Sequence, residues 1–369
     1  MRPSYGDYIL EQERKERRKK RLVIATIAVV LILIVVAVAA VLFLKKDNFS
    51  IKELFPTKEA MGNVEGTEQE VYYTKEELDA FVEEAVETAK AEASTEALTG
   101  IKQLLSEGKS AVEAFRAVYT DELVIAADGR YHFIPIRDDL KHNDYSVENL
   151  QILETGEYRY AEEGQVTSYK GIDVSRFQGK IDWNAVAADG VQFAFIRVGN
   201  RGYGTGAIVE DSNFERNIKG ANAAGVKVGV YFFSQAITEE EAIEEANFVL
   251  EAIAPYQVEC PIVFDMEMIA GDEGRADSLT PEERTHLMKV FCDTIANAGY
   301  QPMIYMNLEL AALRINLEEL ESYDKWFAYY NPDFYFPYEY KVWQYSESGT
   351  VAGVPEPVDL NISFEPIWE

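Results

Sequence analysis

Pro261-Ile-Val-Phe-Asp-Met-Glu267 sets two carboxylates, Asp265 and Glu267, into a run that is otherwise apolar. A strand turns alternate side chains to opposite faces, so these two share a face, with Cα atoms about 6.7 Å apart. Runs of the same kind recur on both sides. Upstream lie Gly171-Ile-Asp-Val-Ser175, Phe193-Ala-Phe-Ile-Arg-Val198 and Lys227-Val-Gly-Val-Tyr-Phe-Phe233. Downstream lie Pro302-Met-Ile-Tyr-Met-Asn307, Lys325-Trp-Phe-Ala-Tyr-Tyr330, Lys341-Val-Trp-Gln-Tyr345 and Val358-Asp-Leu-Asn-Ile362. The first five strands are each followed by room for a helix, over 182–189, 211–224, 238–254, 281–298 and 308–322. The third of these helices opens on Glu239, Glu240 and Glu241, the charge that a helix N-terminus prefers. The last three strands are joined by gaps of about ten residues, too short for crossover helices. The pattern predicts an α/β fold, a modified (β/α)5β3 barrel related to the TIM barrel, over 171–369.

Barrels of this kind carry their chemistry at the C-terminal ends of the strands. The polar residues there are Asp173, Arg197, Tyr231, Asp265, Glu267, Tyr305, Asn307, Tyr330, Trp343, Gln344, Tyr345, Asp359 and Asn361. Two carboxylates held together in a low-dielectric pocket raise each other's proton affinity. One can stay protonated near neutral pH while the other stays charged, as glycosidic cleavage requires. From spacing alone two other readings stay open. The pair could sit in structural salt bridges, or Asp173, Asp265, Glu267 and Asp359 could bind Mg²⁺ or Ca²⁺.

Upstream the chain changes character. Leu22–Leu44 is apolar throughout except for Thr26, and a helix of that length spans about 34 Å, enough for a bilayer core. Residues 1–21 hold eight basic and four acidic side chains, so this tail is expected in the cytoplasm and the rest of the chain outside. Ala37-Val38-Ala39 resembles a signal-peptide cleavage site, but five more apolar residues follow it, which favours an uncleaved single-pass anchor in the cell membrane. Residues 45–73 read as a linker. Thr74-Lys75-Glu76-Glu77 resembles a capping box, and apolar residues recur every three to four positions to Leu105. A helical stalk over 74–107 follows, with self-association through it as the corresponding partner expectation. Linker and stalk together make a segment 45–118. Glu122–Ala126 and Tyr131–Ile136 flank Asp128-Gly129, a hairpin signature that opens a small β-rich module over 119–170.

The 369 residues carry a net charge of −29, which argues against a nucleic-acid partner. Three histidines without ligand spacing and only two cysteines leave no His or Cys metal module. Cys260 and Cys292 could pair outside the cell, but each lies in an apolar stretch, and buried free thiols are the favoured reading. Carboxylates and aromatics, with 22 Tyr and 19 Phe, are left to do the chemistry.

Gly171-Ile-Asp-Val-Ser-Arg-Phe-Gln-Gly179, Asp265-Met-Glu267 and Trp343-Gln-Tyr-Ser…Val-Asp-Leu-Asn361 resemble, in order, the glycoside hydrolase family 25 lysozymes. Phe193–Gly199, Gly229–Ser234 and Arg275-Ala-Asp277 ahead of Glu282-Glu-Arg-Thr285 fit as well. The resemblance implies an N-acetylmuramidase that cuts the β-1,4 bond after N-acetylmuramic acid in peptidoglycan, with no metal or other cofactor. Position by position it implies Glu267 as general acid and Asp265 as the assisting carboxylate. Asp173 and Asp359 complete the acidic site, and Arg197, Tyr231, Tyr305, Tyr330, Trp343 and Gln344 bind sugar. Many relatives place an aromatic near Glu309 or Leu310, and this chain does not.

Three roles then compete: a membrane-anchored muramidase, a non-catalytic peptidoglycan-binding module, and a surface scaffold assembled through the stalk. All four acids being present favours the first, since a binder needs no matched proton donor.

Overall fold

A computed structural model describes residues 91, 93–269 and 274–368. The basic tail 1–21, the apolar span 22–44 and the linker 45–73 lie outside the described residues. So does most of the expected stalk before residue 91; residues 93–106 are helical. No helix among the described residues is long and apolar enough to cross a membrane. The chain divides into two units between Lys109 and Ser110.

The second unit opens with helix Ala111–Val118, whose Ser110 and Glu113 form a capping box. Strands β1 (Glu122–Ala127) and β2 (Arg130–Pro135) form the expected hairpin. Asp128 and Gly129 both take positive φ, 50° and 70°, which matches the twist of the paired strands. A three-stranded sheet follows, from β3 (Leu150–Ile152), β4 (Tyr158–Glu162) and β5 (Gln165–Val166).

The barrel strands are β6 (Tyr169–Val174), β7 (Phe193–Arg201), β9 (Lys227–Phe233), β10 (Ile262–Asp265), β11 (Pro302–Asn307), β12 (Asp324–Ala328), β13 (Val342–Gly349) and β14 (Val358–Ser363). Strand β8 (Ile208–Glu210) folds back on the end of β7. Strands β6 to β13 of the barrel run parallel, and β14 runs antiparallel to both β13 and β6. The β6–β7 pairing closes the ring.

Period-two alternation sorts the side chains into two layers. Phe193, Phe195, Val263, Met303, Tyr305, Trp326 and Val342 pack together in one buried cluster that fills the barrel. Ala194, Ile196, Phe264, Ile304 and Phe327 belong to the other, between the strands and the outer elements. Gly171 and Gly229 make room for the inner rings. A Cβ on Gly171 would lie 2.1 Å from the Phe193 ring, and one on Gly229 2.5 Å from the Phe195 ring. Trp368 closes edge-on against Tyr169, 5.0 Å between ring centres.

Helices Trp183–Ala188, Phe214–Ala224, Glu239–Ile253 and Pro281–Asn297 occupy four of the five expected places. The fifth place, 308–322, holds a π-turn, Leu310–Arg314, and a 3-10 turn, Leu317–Leu320. Asn307 Oδ1 accepts from the Leu310 N–H, and Ile315 is extended. The Asn316 N–H is drawn instead to Thr285 Oγ1, 2.8 Å away. The first bond caps the start of the turn, and the second, a tertiary bond, holds the extended backbone that ends it.

The residues expected to form a leading β-rich module pack as part of the barrel's coat. Where β13 and β14 lack covering helices, Tyr158 stacks on Tyr345 at 4.3 Å and Tyr145 on Phe364 at 3.7 Å. Arg314 adds a bond to Asp128 of the hairpin, 2.9 Å. Cys260 and Cys292 are both buried free thiols.

Candidate active site

Strand parity brings the polar residues to one rim. Asp173, Asp265 and Gln344 occupy inward positions near the ends of parallel strands. Asp359 arrives from the other direction, at the start of antiparallel β14, and pairs in register with Asp173. Glu267 follows β10 by two residues. Together they line an open cleft of ≈ 330 Å³ with Arg197, Tyr231, Tyr305 and Tyr330.

Asp173 is the best supported carboxylate. Its Oδ2 accepts from Gln344 Nε2 and from Asn361 Nδ2, each at 2.9 Å. Gln344 Oε1 in turn accepts from the Tyr305 and Tyr330 hydroxyls, both at 3.0 Å. These bonds fix which way the amide points. Asn361 Oδ1 accepts from the Trp326 indole N–H at 2.8 Å, so one fully buried asparagine ties the barrel's central ring to the acid.

Burial dominates the electrostatics. It lifts Asp173 to about 6, with the Asn361 and Gln344 N–H donors opposing the rise. Burial, the Asp173 charge and a hydrogen bond to Asp173 together lift Asp359 to about 9. Glu267 rises to about 7 through burial, held back by a hydrogen bond from Asp265. Asp265 is pushed well up by burial and by the Glu267 and Asp173 charges. Its Oδ1 is buried without a hydrogen-bond partner among the described residues. Around neutral pH the site therefore retains protons on its carboxyls while Asp173 carries charge.

Arg197 stands at the edge of this cluster. Its Nε donates to Asp211 at 2.8 Å, and its guanidinium lies 5.2 Å from the centre of the Phe177 ring. Phe177 is 63% exposed at the cleft. Near the positions where the resemblance implies an aromatic, Glu309 bonds Arg314 and Leu310 is buried.

Trp343 does not belong to this site, which corrects the expectation for it. Parity with Gln344 turns it outward, where its indole N–H donates to Tyr329 O at 2.7 Å and its ring packs on Tyr158 and Phe334. The inward tryptophan is Trp326, which sequence reasoning passed over together with Phe177 and Glu347, whereas Asn361 stands among the strand-end polar residues. Trp326 had a usable signal, since it shares strand parity with Ala328 and Tyr330.

Among the described residues no group of three or more His, Cys, Asp or Glu side chains is arranged to hold a metal ion.

The sequence pattern of glycosyl hydrolases family 25 matches residues 172–354. An autolytic lysozyme from Clostridium acetobutylicum is 27% identical over 195 residues, 52% of this chain and 55% of that protein. The chain thus spans about half the length of that relative. The uncharacterized protein YegX of Escherichia coli K12 is 30% identical over 202 residues, 52% of this chain and 68% of that protein. A solved family 25 glycosyl hydrolase from Bacillus anthracis is 25% identical, covering 54% of this chain and 89% of that one, with a TM-score of 0.46. With the family pattern running through the strands that carry Asp173, Asp265 and Glu267, this chain belongs to glycosyl hydrolases family 25.

Proposed function

We propose that the protein is a membrane-anchored peptidoglycan hydrolase that cleaves the β-1,4 bond between N-acetylmuramic acid and N-acetylglucosamine. The observation that carries this reading is the carboxylate pair at the rim, Asp265 buried and Glu267 half-buried, beside Asp173 and Asp359. The lysozyme name of the Clostridium relative supports the substrate class.

Glu267, lifted to about 7, holds a proton where the glycosidic oxygen would lie and gives it to the departing sugar. Asp265 then passes its own proton along its hydrogen bond to Glu267, and as a carboxylate with an unpartnered Oδ1 it faces the charge that develops on the other side of the broken bond, directly or through the 2-acetamido group. Asp173 stays charged under its two N–H donors and stabilises the positive centre. Tyr231, Tyr305, Tyr330, Gln344 and Arg197 position the sugar, and Phe177 offers it an exposed ring face. The apolar span 22–44, with the basic tail on its cytoplasmic side, holds the hydrolase on the outer face of the membrane.

Fragment analysis of purified peptidoglycan treated with the full-length protein tests the reading. Reducing N-acetylmuramic acid ends are expected, and Glu267→Gln should abolish them. Reducing N-acetylglucosamine ends would show a different bond specificity. Binding without turnover by the unmodified protein would show a glycan-binding module instead.

A further inference from the structure

Residues 329–331 separate two clefts. Tyr330 lines the carboxylate cleft, while Tyr329 and Asn331 line a second one of ≈ 620 Å³. The opposite wall of the second cleft is helix Ala111–Val118, upstream of the residues that match the family. One wall of this cleft therefore lies outside the residues that match the family.

Its chemistry centres on Arg116. The Nε donates to Val124 O at 3.1 Å and Nη1 to the Tyr329 hydroxyl at 3.3 Å. The guanidinium lies 4.2 Å from the centre of the Tyr335 ring, and the Tyr335 hydroxyl is itself held by the backbone of β1. The side chain is thus fixed in place before any ligand arrives, so little rotamer freedom remains to be lost on binding. None of its bonds goes to a carboxylate among the described residues, although two carboxylates line the cleft. Glu113 is engaged with the Ser110 N–H at 2.8 Å, and Asp333 Oδ1 accepts from the Tyr335 N–H at 3.1 Å. A held guanidinium with N–H capacity left over is suited to a carboxylate.

We propose that this cleft is a second binding site, which takes a carboxylate of the peptide stem carried by the glycan strand. The proposal rests on the peptidoglycan hydrolase reading, in which the substrate is a polymer reaching past the cut bond. Its peptide stems branch from N-acetylmuramic acid and bear free carboxylates. A stem leaving a sugar beside Tyr330 has only the 329–331 segment to cross. The site would favour glycan that still carries its stems over bare glycan.

The test compares two substrates with the full-length protein: glycan strands bearing their stems, and the same strands after enzymatic removal of the stems. Arg116→Gln is expected to raise the ratio of KM for stem-bearing to KM for bare strands by about tenfold, the loss of one charge-assisted contact. An unchanged ratio overturns the proposal. Should the variant fold poorly, the unmodified protein answers the same question by calorimetry with the free stem peptide. The peptide with free carboxylates should bind at least about tenfold more tightly than its fully amidated form, and equal binding overturns the site. Turnover of bare strands by the unmodified protein reports on the hydrolase reading separately, so the two can fail independently.

Discussion

Gln344 donates its amide N–H to Asp173 at 2.9 Å while its carbonyl receives the hydroxyls of Tyr305 and Tyr330. One neutral side chain thus joins the charged acid to two rings that line the cleft. Replacing it with leucine removes a donor from a buried carboxylate, a loss of roughly 1.5–3 kcal/mol for a hydrogen bond to a charged group. Asp173, now at about 6, should rise by about one to two units. In the pH profile of kcat/KM, the acid-side limb of Gln344→Leu is expected to move upward by that amount. A uniform fall in rate with unmoved limbs would assign Gln344 to sugar contact alone.

On the proposed mechanism Glu267 sets the other limb. A proton donor raised to about 7 is lost as the pH climbs past that value, so hydrolysis should decline on the alkaline side near neutrality. Glu267→Gln should lower kcat by about 10²–10⁴. Equilibrium binding of a short glycan to this variant should stay near that of the unmodified protein, since the acid acts on the leaving oxygen.

Asp359 makes a prediction about stability. Its pKa in the folded protein, about 9, lies above the ordinary 3.8. The folded state therefore holds this proton more tightly than the unfolded chain. The contribution is fully present below about pH 4 and is lost as pH rises toward about 9. Asp359→Asn, which keeps the shape without the charge, should melt at a higher temperature than the unmodified protein at pH 8, and the gap should shrink at pH 5. About 1 kcal/mol corresponds to roughly 2–4 °C in a domain of this size. Equal shifts at both pH values would contradict the raised pKa.

Gly171 tests the inner layer. A methyl group there would meet the Phe193 ring at 2.1 Å, a distance that only movement of the ring relieves. Gly171→Ala should cost about 1–3 kcal/mol in chemical denaturation. Combining it with Phe193→Leu should recover part of that loss, a coupling expected only for residues in contact.

The eight strands were legible because β-branched and aromatic runs with one polar residue at a fixed parity say both where a strand lies and which side is inward. Asp173, Asp265 and Gln344 follow that rule directly. Trp343 departs from the role that the resemblance implies because neighbours on a strand face opposite ways, and Gln344 is the inward one of the two. The broken segment after β11 escaped because Ile315 is extended and the Asn316 N–H bonds to Thr285, a tertiary contact that helical periodicity does not register. The coat formed by Tyr145 and Tyr158 escaped for a different reason. It is a long-range replacement for helices that the short connections exclude, and local pattern says only that β-strands are present.

The closing strand has a consequence for timing. Asn361 reaches Asp173 across 188 positions of sequence, and Asp359 lies beside the same acid only because β14 returns antiparallel to complete the ring. Until that last strand docks, Asp173 lacks one of its two amide donors and the rim lacks its fourth carboxylate. A chain that stops short of that strand lacks the complete acidic rim and is expected to be inert. On the proposed function, catalytic competence would thus arrive as a late, all-at-once event, a built-in safeguard for a hydrolase proposed to act on the wall of its own cell.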